Sequence, residues 1–171
     1  MILEPLAPAE DGALPGELLT ELTALYASNH VFHALSGDFP DPADIRPEQV
    51  AAELADELAA PGAEVLVARS AGRVVGIAVT LERHPDPADP DPWIGLLMVD
   101  AGQQRKGHGR EFAGRIEERF RADGRGGVRI AVLEGNAAGL AFWSALGYEV
   151  IDHRRDLRAD RPCAVLRKQL A

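Results

Sequence analysis

The chain has 171 residues, 46% of them hydrophobic, with a formal net charge of −9 at pH 7 and a lone cysteine, Cys163. That length suits one domain over residues 1–171, burying about two-thirds of its unfolded surface. The composition excludes an internal disulfide and speaks against nucleic acid; it offers no membrane-length apolar run and no basic signal region, so a cytoplasmic protein is expected.

Residues 1–8 read as a first strand ending at Pro8. From Pro15 to Ser28, Leu18, Leu22, Leu25 and Tyr26 line one helical face, and Asn29-His30 closes that helix. Residues 36–46 form a proline-containing loop. A second helix runs from Pro47 to about Ala60, with Val50, Leu54 and Leu58 as its apolar stripe, and Pro61-Gly62 stops it. Residues 64–68 and 74–81 alternate as two strands around a turn at Ala71-Gly72. A second loop of prolines and aspartates fills 83–92. The pentapeptide Pro-Asp-Pro-Ala-Asp stands at 40–44 and again at 85–89, a repeat of loop chemistry with no repeat of the flanking elements.

Trp93-Ile-Gly-Leu-Leu-Met-Val99 is an apolar strand, and a basic turn follows it. A helix then shows in Phe112, Ile116 and Phe120, four residues apart. Glycine backbone, basic side chains and a helix N-terminus therefore converge on Gln104, Arg105, Lys106, Gly107, His108, Gly109 and Arg110. Amides aimed one way at the positive end of a helix suit a phosphate. Each charge-assisted bond there is worth roughly 1.5–3 kcal/mol. The reading expects a Cβ at Gly107 or Gly109 to hold the backbone off the oxygens. Gly102 and Gly107 have the spacing of a P-loop, but His108-Gly109 stand where Lys and Ser/Thr are required. A dinucleotide fingerprint would place its first glycine directly after the strand, whereas residues 100–106 intervene here.

The remaining pattern, Gln/Arg-x-x-Gly-x-Gly/Ala, is met by Gln104 to Gly109. A second block follows at family distance: strand 128–133, then Asn136, Gly139, Phe142, Trp143 and Gly147-Tyr148. Together these stretches resemble the GNAT N-acetyltransferases, with two departures: Gly139 stands for the usual Ala, and Trp143 for Tyr. After Tyr148, residues 149–157 and 163–168 read as a last hairpin around 159–162. The fold class is α/β (α+β) with a mixed sheet, in the order β-αα-βββ-αβ-αββ, and the resemblance implies the same order.

The resemblance implies that the turn holds the acetyl-CoA pyrophosphate. It also implies that the backbone of Leu97, Met98 and Val99 serves the pantetheine arm and thioester. Asn136 suits a helix N-cap; the resemblance puts it, with Trp143, on the donor. An alkylammonium costs about 4 kcal/mol to deprotonate at pH 7, so a base is needed. Glu82 is the first candidate and His84 the second; His30 and His33 follow the first helix. Tyr148, Ser144 or water is left to protonate the thiolate. The expected activity is direct acetyl transfer in a ternary complex from acetyl-CoA to a small, cationic primary amine. No metal, nucleic acid or membrane is called for, and a homodimer is compatible with the reading. The acidic loops 36–46 and 83–92, with Asp38, Asp41, Asp44, Asp86, Asp89 and Asp91, are the expected acceptor walls. The rivals are a non-catalytic acyl-CoA-binding module of the same fold and a nucleotide-binding oxidoreductase domain.

Overall fold

The computed structural model describes residues 1–170. In chain order the elements are β1 (Ile2–Pro5), α1 (Gly16–Ser28), α2 (His30–Ser36), α3 (Pro47–Ala59), β2 (Ala63–Ser70), β3 (Arg73–Leu81) and β4 (Trp93–Val99). There follow a 3-10 turn (Ala101–Gln103), α4 (His108–Ala122), β5 (Gly127–Leu133), α5 (Ala137–Ala145), β6 (Glu149–Arg155) and β7 (Pro162–Gln169). The strands form one sheet in the order β1-β2-β3-β4-β5-β7-β6, antiparallel throughout except for the parallel pair β4–β5. This is the expected mixed α/β class.

Alternation along the central strands builds two cores, one on each face. On β2 and β3, Val65, Val67, Ile77 and Val79 meet Leu22 and Leu25 of α1 and Val50 and Leu54 of α3. Leu66, Ala68 and Ala78 meet Phe112, Ala113 and Ile116 of α4 together with Trp143 and Tyr148. The stripes read from sequence thus become the buried faces. Pro47 opens α3 at a position where no N–H is needed, and the Arg46 N–H donates to Gln49 Oε1 at 2.9 Å. No helix among the described residues is long and apolar enough to cross a membrane.

Three boundaries differ from the expectation. The Asn29-His30 stop is a one-residue interruption, because Asn29 leaves helical geometry (φ −99°, ψ 36°) and α2 starts at the next residue. The Asn29 side chain holds the break: Nδ2 donates to Leu25 O at 3.0 Å and to Val99 O at 3.1 Å. β1 ends at Pro5, although the Leu6 N–H still reaches Val65 O at 2.8 Å. β6 ends at Arg155 because the Asp156 carboxylate takes the N–H groups of Arg158, Ala159 and Arg161 and starts the turn early.

Both copies of Pro-Asp-Pro-Ala-Asp fold into one turn type. Asp41 Oδ1 accepts the Ala43 N–H and Asp86 Oδ1 the Ala88 N–H, each at 2.9 Å. In each, the N–H of the last aspartate returns to the carbonyl of the first at 3.0 Å.

Candidate functional site

The site begins with a bulge. Across β3–β4, Thr80 faces Ile94 and Val79 faces Leu96, so Gly95 is an extra residue. β4 pairs with β5 only at Trp93–Arg129 and Ile94–Ile130, while β5 stays paired with β7 over its whole length. Past Gly95 the two strands part, and a cleft of about 1470 Å³ opens between them. The direction of the β4 amides follows from the ladder. The Asp100 N–H donates to Val75 O at 2.9 Å, which makes Asp100 and, two residues back, Met98 the residues that bond β3. Leu97 and Val99 therefore turn their N–H groups toward the cleft. The Val99 carbonyl is taken by two side chains, Asn29 Nδ2 and Gln104 Nε2, each at 3.1 Å.

The turn after β4 ends the cleft on the α4 side. Asp100 Oδ1 accepts the Gly102 N–H, Arg105 has φ +64°, and Gly107 has φ +87° as the residue before α4. The first α4 amides, at His108, Gly109 and Arg110, have no intrahelical acceptor, and Gly107 brings no side chain to cap them. Arg105, Gly107, Gly109 and Arg110 line the cleft. Lys106 and His108 do not; Lys106 Nζ pairs with Gln103 Oε1 at 3.2 Å. The protein's own atoms give each glycine a further reason. Nothing lies within 4 Å of a Cβ on Gly107, so only its positive φ requires glycine there, whereas a Cβ on Gly109 would press Phe142 at 3.2 Å. Gln104 braces the turn, its Nε2 reaching Asn29 Oδ1 at 3.0 Å as well as Val99 O.

On the β5 side, Asn136 lines the cleft and caps α5, with Oδ1 accepting the Gly139 N–H at 2.9 Å. Trp143 is buried at the cleft wall, edge-on to Phe142 and Tyr148 with centroids 5.0 and 4.9 Å away. Tyr148 is 2% exposed and lies outside the cleft. Its hydroxyl donates to Glu117 Oε1 at 3.1 Å, and burial together with that carboxylate pushes the phenol well above its usual range. The structure thus separates Tyr148 from the acid role expected of it.

Glu82 is also apart from the cleft: it is exposed and pairs with Arg125 at 2.8 Å. His84 does line the cleft. It lies against Trp93 with centroids 4.7 Å apart, and its Nδ1 is 3.1 Å from the Asp86 N and 3.3 Å from Asp89 Oδ2. The loop charges near it are consumed. Asp89 is buried and bonds Arg129 and Arg154; Asp91 is buried and bonds Arg129 at 3.0 Å and Arg167 at 2.8 Å. Burial opposes ionisation of Asp91, but its two arginines win and hold its carboxyl below the usual range. As an acidic wall for a cation, the 83–92 loop is largely spent.

A different set of groups makes the far end. Tyr26, His33, Phe39, Glu53, Glu57 and Arg158 line the cleft there. Arg158, on the β6–β7 turn, reaches Glu53 at 2.7 Å and Glu57 at 2.6 Å; Arg161 on the same turn bonds Ser36 O at 2.6 Å and Asp38 at 3.3 Å. Burial raises the Glu53 carboxyl. Sequence reading missed Tyr26, Glu53 and Glu57 because each sits inside an ordinary helical pattern. The polar residue on the buried side of α2, His33, was the available signal.

The sequence profile of the acetyltransferase (GNAT) family matches residues 28–148. No curated protein matches the sequence. Solved structures resemble it in fold at low identity. An acetyltransferase from Thermus thermophilus is 20% identical at TM-score 0.70, with 99% of this chain and 97% of that one covered. The ribosomal-protein-S18-alanine N-acetyltransferase from Escherichia coli is 16% identical at TM-score 0.65, covering 99% and 94%. An aminoglycoside 6'-N-acetyltransferase complexed with coenzyme A is 13% identical at TM-score 0.65, covering 100% and 98%.

Proposed function

Because the chain belongs to the acetyltransferase (GNAT) family, we propose that it moves an acetyl group from acetyl-CoA to the primary amine of a small acceptor, by direct transfer in a ternary complex. The observation that carries this reading is the parting of β4 from β5 with the Leu97 and Val99 amides aimed into the gap. A thioester lying there would find N–H donors at its carbonyl oxygen, fixed by the β3–β4 ladder and needing no reorganisation. The uncapped start of α4, with Arg105 and Arg110 beside it, suits the diphosphate at one mouth. The acceptor then enters from the other mouth, between α2, α3 and the β6–β7 turn.

The test is calorimetric titration with acetyl-CoA, followed by thiol release across a panel of primary amines that includes aminoglycosides, polyamines and aralkylamines. Micromolar binding with amine-dependent thiol release is the expected result. A second reading, an acyl-CoA-binding module without turnover, draws on the engagement of the Tyr148 hydroxyl by Glu117. It predicts binding of the same strength with no thiol release from any amine.

A further inference from the structure

The sheet is built of two halves. Antiparallel ladders join β1 to β4 in sequence, and others join β5, β7 and β6. Between the halves the ladder runs for only two residue pairs, Trp93–Arg129 and Ile94–Ile130, with the Arg129 N–H on Pro92 O at 3.0 Å. The apolar core under α4 continues beneath both halves, but burial of apolar surface is non-directional and sets no angle between them. At the open end of the cleft, Arg158 and Arg161 tie the β6–β7 turn to α2 and α3.

The closed end is held differently. Arg129 of β5 stands directly opposite Arg167 of β7. Like charges in register repel, and this pair is tolerated because Asp91 lies between them. Asp91 Oδ2 accepts from Arg129 Nε at 3.0 Å and from Arg167 Nε at 2.8 Å. Asp89 joins Arg129 to Arg154 of β6, whose guanidinium also meets Asp152 at 3.0 Å and lies 5.9 Å from the Trp93 ring centre. Two aspartates just ahead of β4 thus hold one arginine from every strand of the other half. Three carboxylates face three guanidiniums, so the charges balance. The main chain is fitted to the network as well: a Cβ on Gly127 would stand 2.9 Å from Asp91 Oδ1 and collide with the Arg167 guanidinium.

A buried ion network is a poor source of stability, since apolar residues of similar volume often do as well or better. What it supplies is direction, through charge-assisted bonds of fixed geometry. We propose that Asp89, Asp91 and Arg129 are positioning residues, which pin the closed end of the cleft and so set the angle at which β4 leaves β5. The role rests on the acetyl-transfer reading above, in which the Leu97 and Val99 amides receive the thioester. Those amides lie three and five residues beyond Ile94, about 10 and 17 Å along an extended strand. A rotation of roughly 10° at Ile94 would carry the Val99 amide about 3 Å, the whole length of a hydrogen bond. A little freedom at the pin therefore removes the donor at the tip.

The experiment removes charge in balance. Asp91→Leu combined with Arg129→Met takes out one carboxylate and one guanidinium, leaving Asp89 with Arg154 and Arg167 with Gln169. The double variant should melt close to wild type, yet bind acetyl-CoA roughly tenfold or more weakly by calorimetry, with the Leu97 and Val99 amide resonances shifted. A merely structural role would lower the melting temperature and leave the affinity of the folded protein intact. That outcome overturns the proposal, and so does a stable variant with wild-type affinity; both leave acetyl transfer standing. A wild type that fails to bind acetyl-CoA overturns the donor reading and this role together. Should the double variant not fold, the free wild type decides the matter by amide relaxation dispersion. Leu97 and Val99 should be as quiet as Trp93 and Arg129 on the microsecond-to-millisecond scale. Exchange at Leu97 and Val99 beside a quiet Trp93 would reveal an arm whose angle the pin does not set, and overturns the proposal.

Discussion

Asn136 Oδ1 accepts the Gly139 N–H at 2.9 Å, and a Cβ on Gly139 would stand 2.5 Å from Asn136 Nδ2. The cap and the glycine are one arrangement: the amide folds down over the first turn of α5 because nothing projects from the third helical residue. This gives a physical reason for glycine where the family more often has alanine. Replacing Gly139 by Ala gains roughly 0.5–1 kcal/mol of helix propensity and gives up a cap worth about 1 kcal/mol, besides the close contact. Gly139→Ala should therefore leave Tm unchanged or lower. Gly114, inside α4 with open space around its Cβ position, is the control, and Gly114→Ala should stabilise by roughly 0.5–1 kcal/mol in the same denaturation series.

Gly107→Ala tests the donor turn. The position is sterically open, so the cost is confined to a left-handed backbone, roughly 1–2 kcal/mol for a residue with a Cβ. The free protein already has this backbone, so affinity changes only if the variant relaxes out of it; a turn that relaxes re-aims the α4 amides that would hold the diphosphate. The expected result is a tenfold or larger rise in the acetyl-CoA Kd, about 1.4 kcal/mol, with a cooperative melt retained. Equal affinity in the folded variant would remove this turn from donor binding.

Asp91 makes acid stability predictable in sign. Its carboxyl lies below its ordinary value in the folded protein, because the bonds to Arg167 and Arg129 outweigh the burial that opposes ionisation. A carboxyl lowered in this way contributes stability above its unfolded pKa, near 3.9, and loses it as pH falls through the folded value. Asp91→Asn leaves two arginines short of a partner and should cost about 3 kcal/mol at pH 7. Denaturant melts of the two proteins should differ by a constant amount from pH 5 to 8 and converge below about pH 4. A difference that persists at acid pH would assign the effect to packing.

Tyr148→Phe should separate fold from chemistry. The hydroxyl is bonded to a buried carboxylate that Lys168 also holds, at 2.7 Å. Its removal should lower stability by about 1–2 kcal/mol and change kcat less than threefold. Glu82→Gln should be silent in both measurements, since its carboxylate meets only Arg125 at the surface. A hundredfold loss of kcat in either variant would bring that side chain back into the reaction.

What was legible in the sequence was local. The Phe112–Ile116–Phe120 stripe, the helix start after Gly107 and the strands around Ala71-Gly72 are written in neighbouring residues, and the sheet kept them. The parting of β4 from β5 was expected from the family resemblance alone, which has the strand at Leu96–Val99 splay from its neighbour; the residues themselves do not show it, since Gly95 reads as one more residue of an apolar run until its partners across β3 are known. α2 was missed because it has only seven residues, and its buried positions are His33 and Ser36, with no apolar period to reveal them. The site residues divide the same way. The glycine turn and Asn136 were found by pattern. Tyr26, Glu53 and Arg158 meet only after 132 positions of chain have returned, and spacing carries no sign of that.

The two copies of Pro-Asp-Pro-Ala-Asp separate what a loop's sequence decides from what its address decides. Five residues and two internal hydrogen bonds make the turn wherever it is planted, so its shape is portable. Its final carboxylate is not. Asp44 finds Arg46 in solvent at 2.9 Å, while Asp89 is enclosed between Arg129 and Arg154. Identical words therefore leave one loop with a hydrated charge and the other with a neutralised interior. The electrostatic map of this acidic protein is consequently drawn by where its arginines land, and counting aspartates along the chain gives the wrong map.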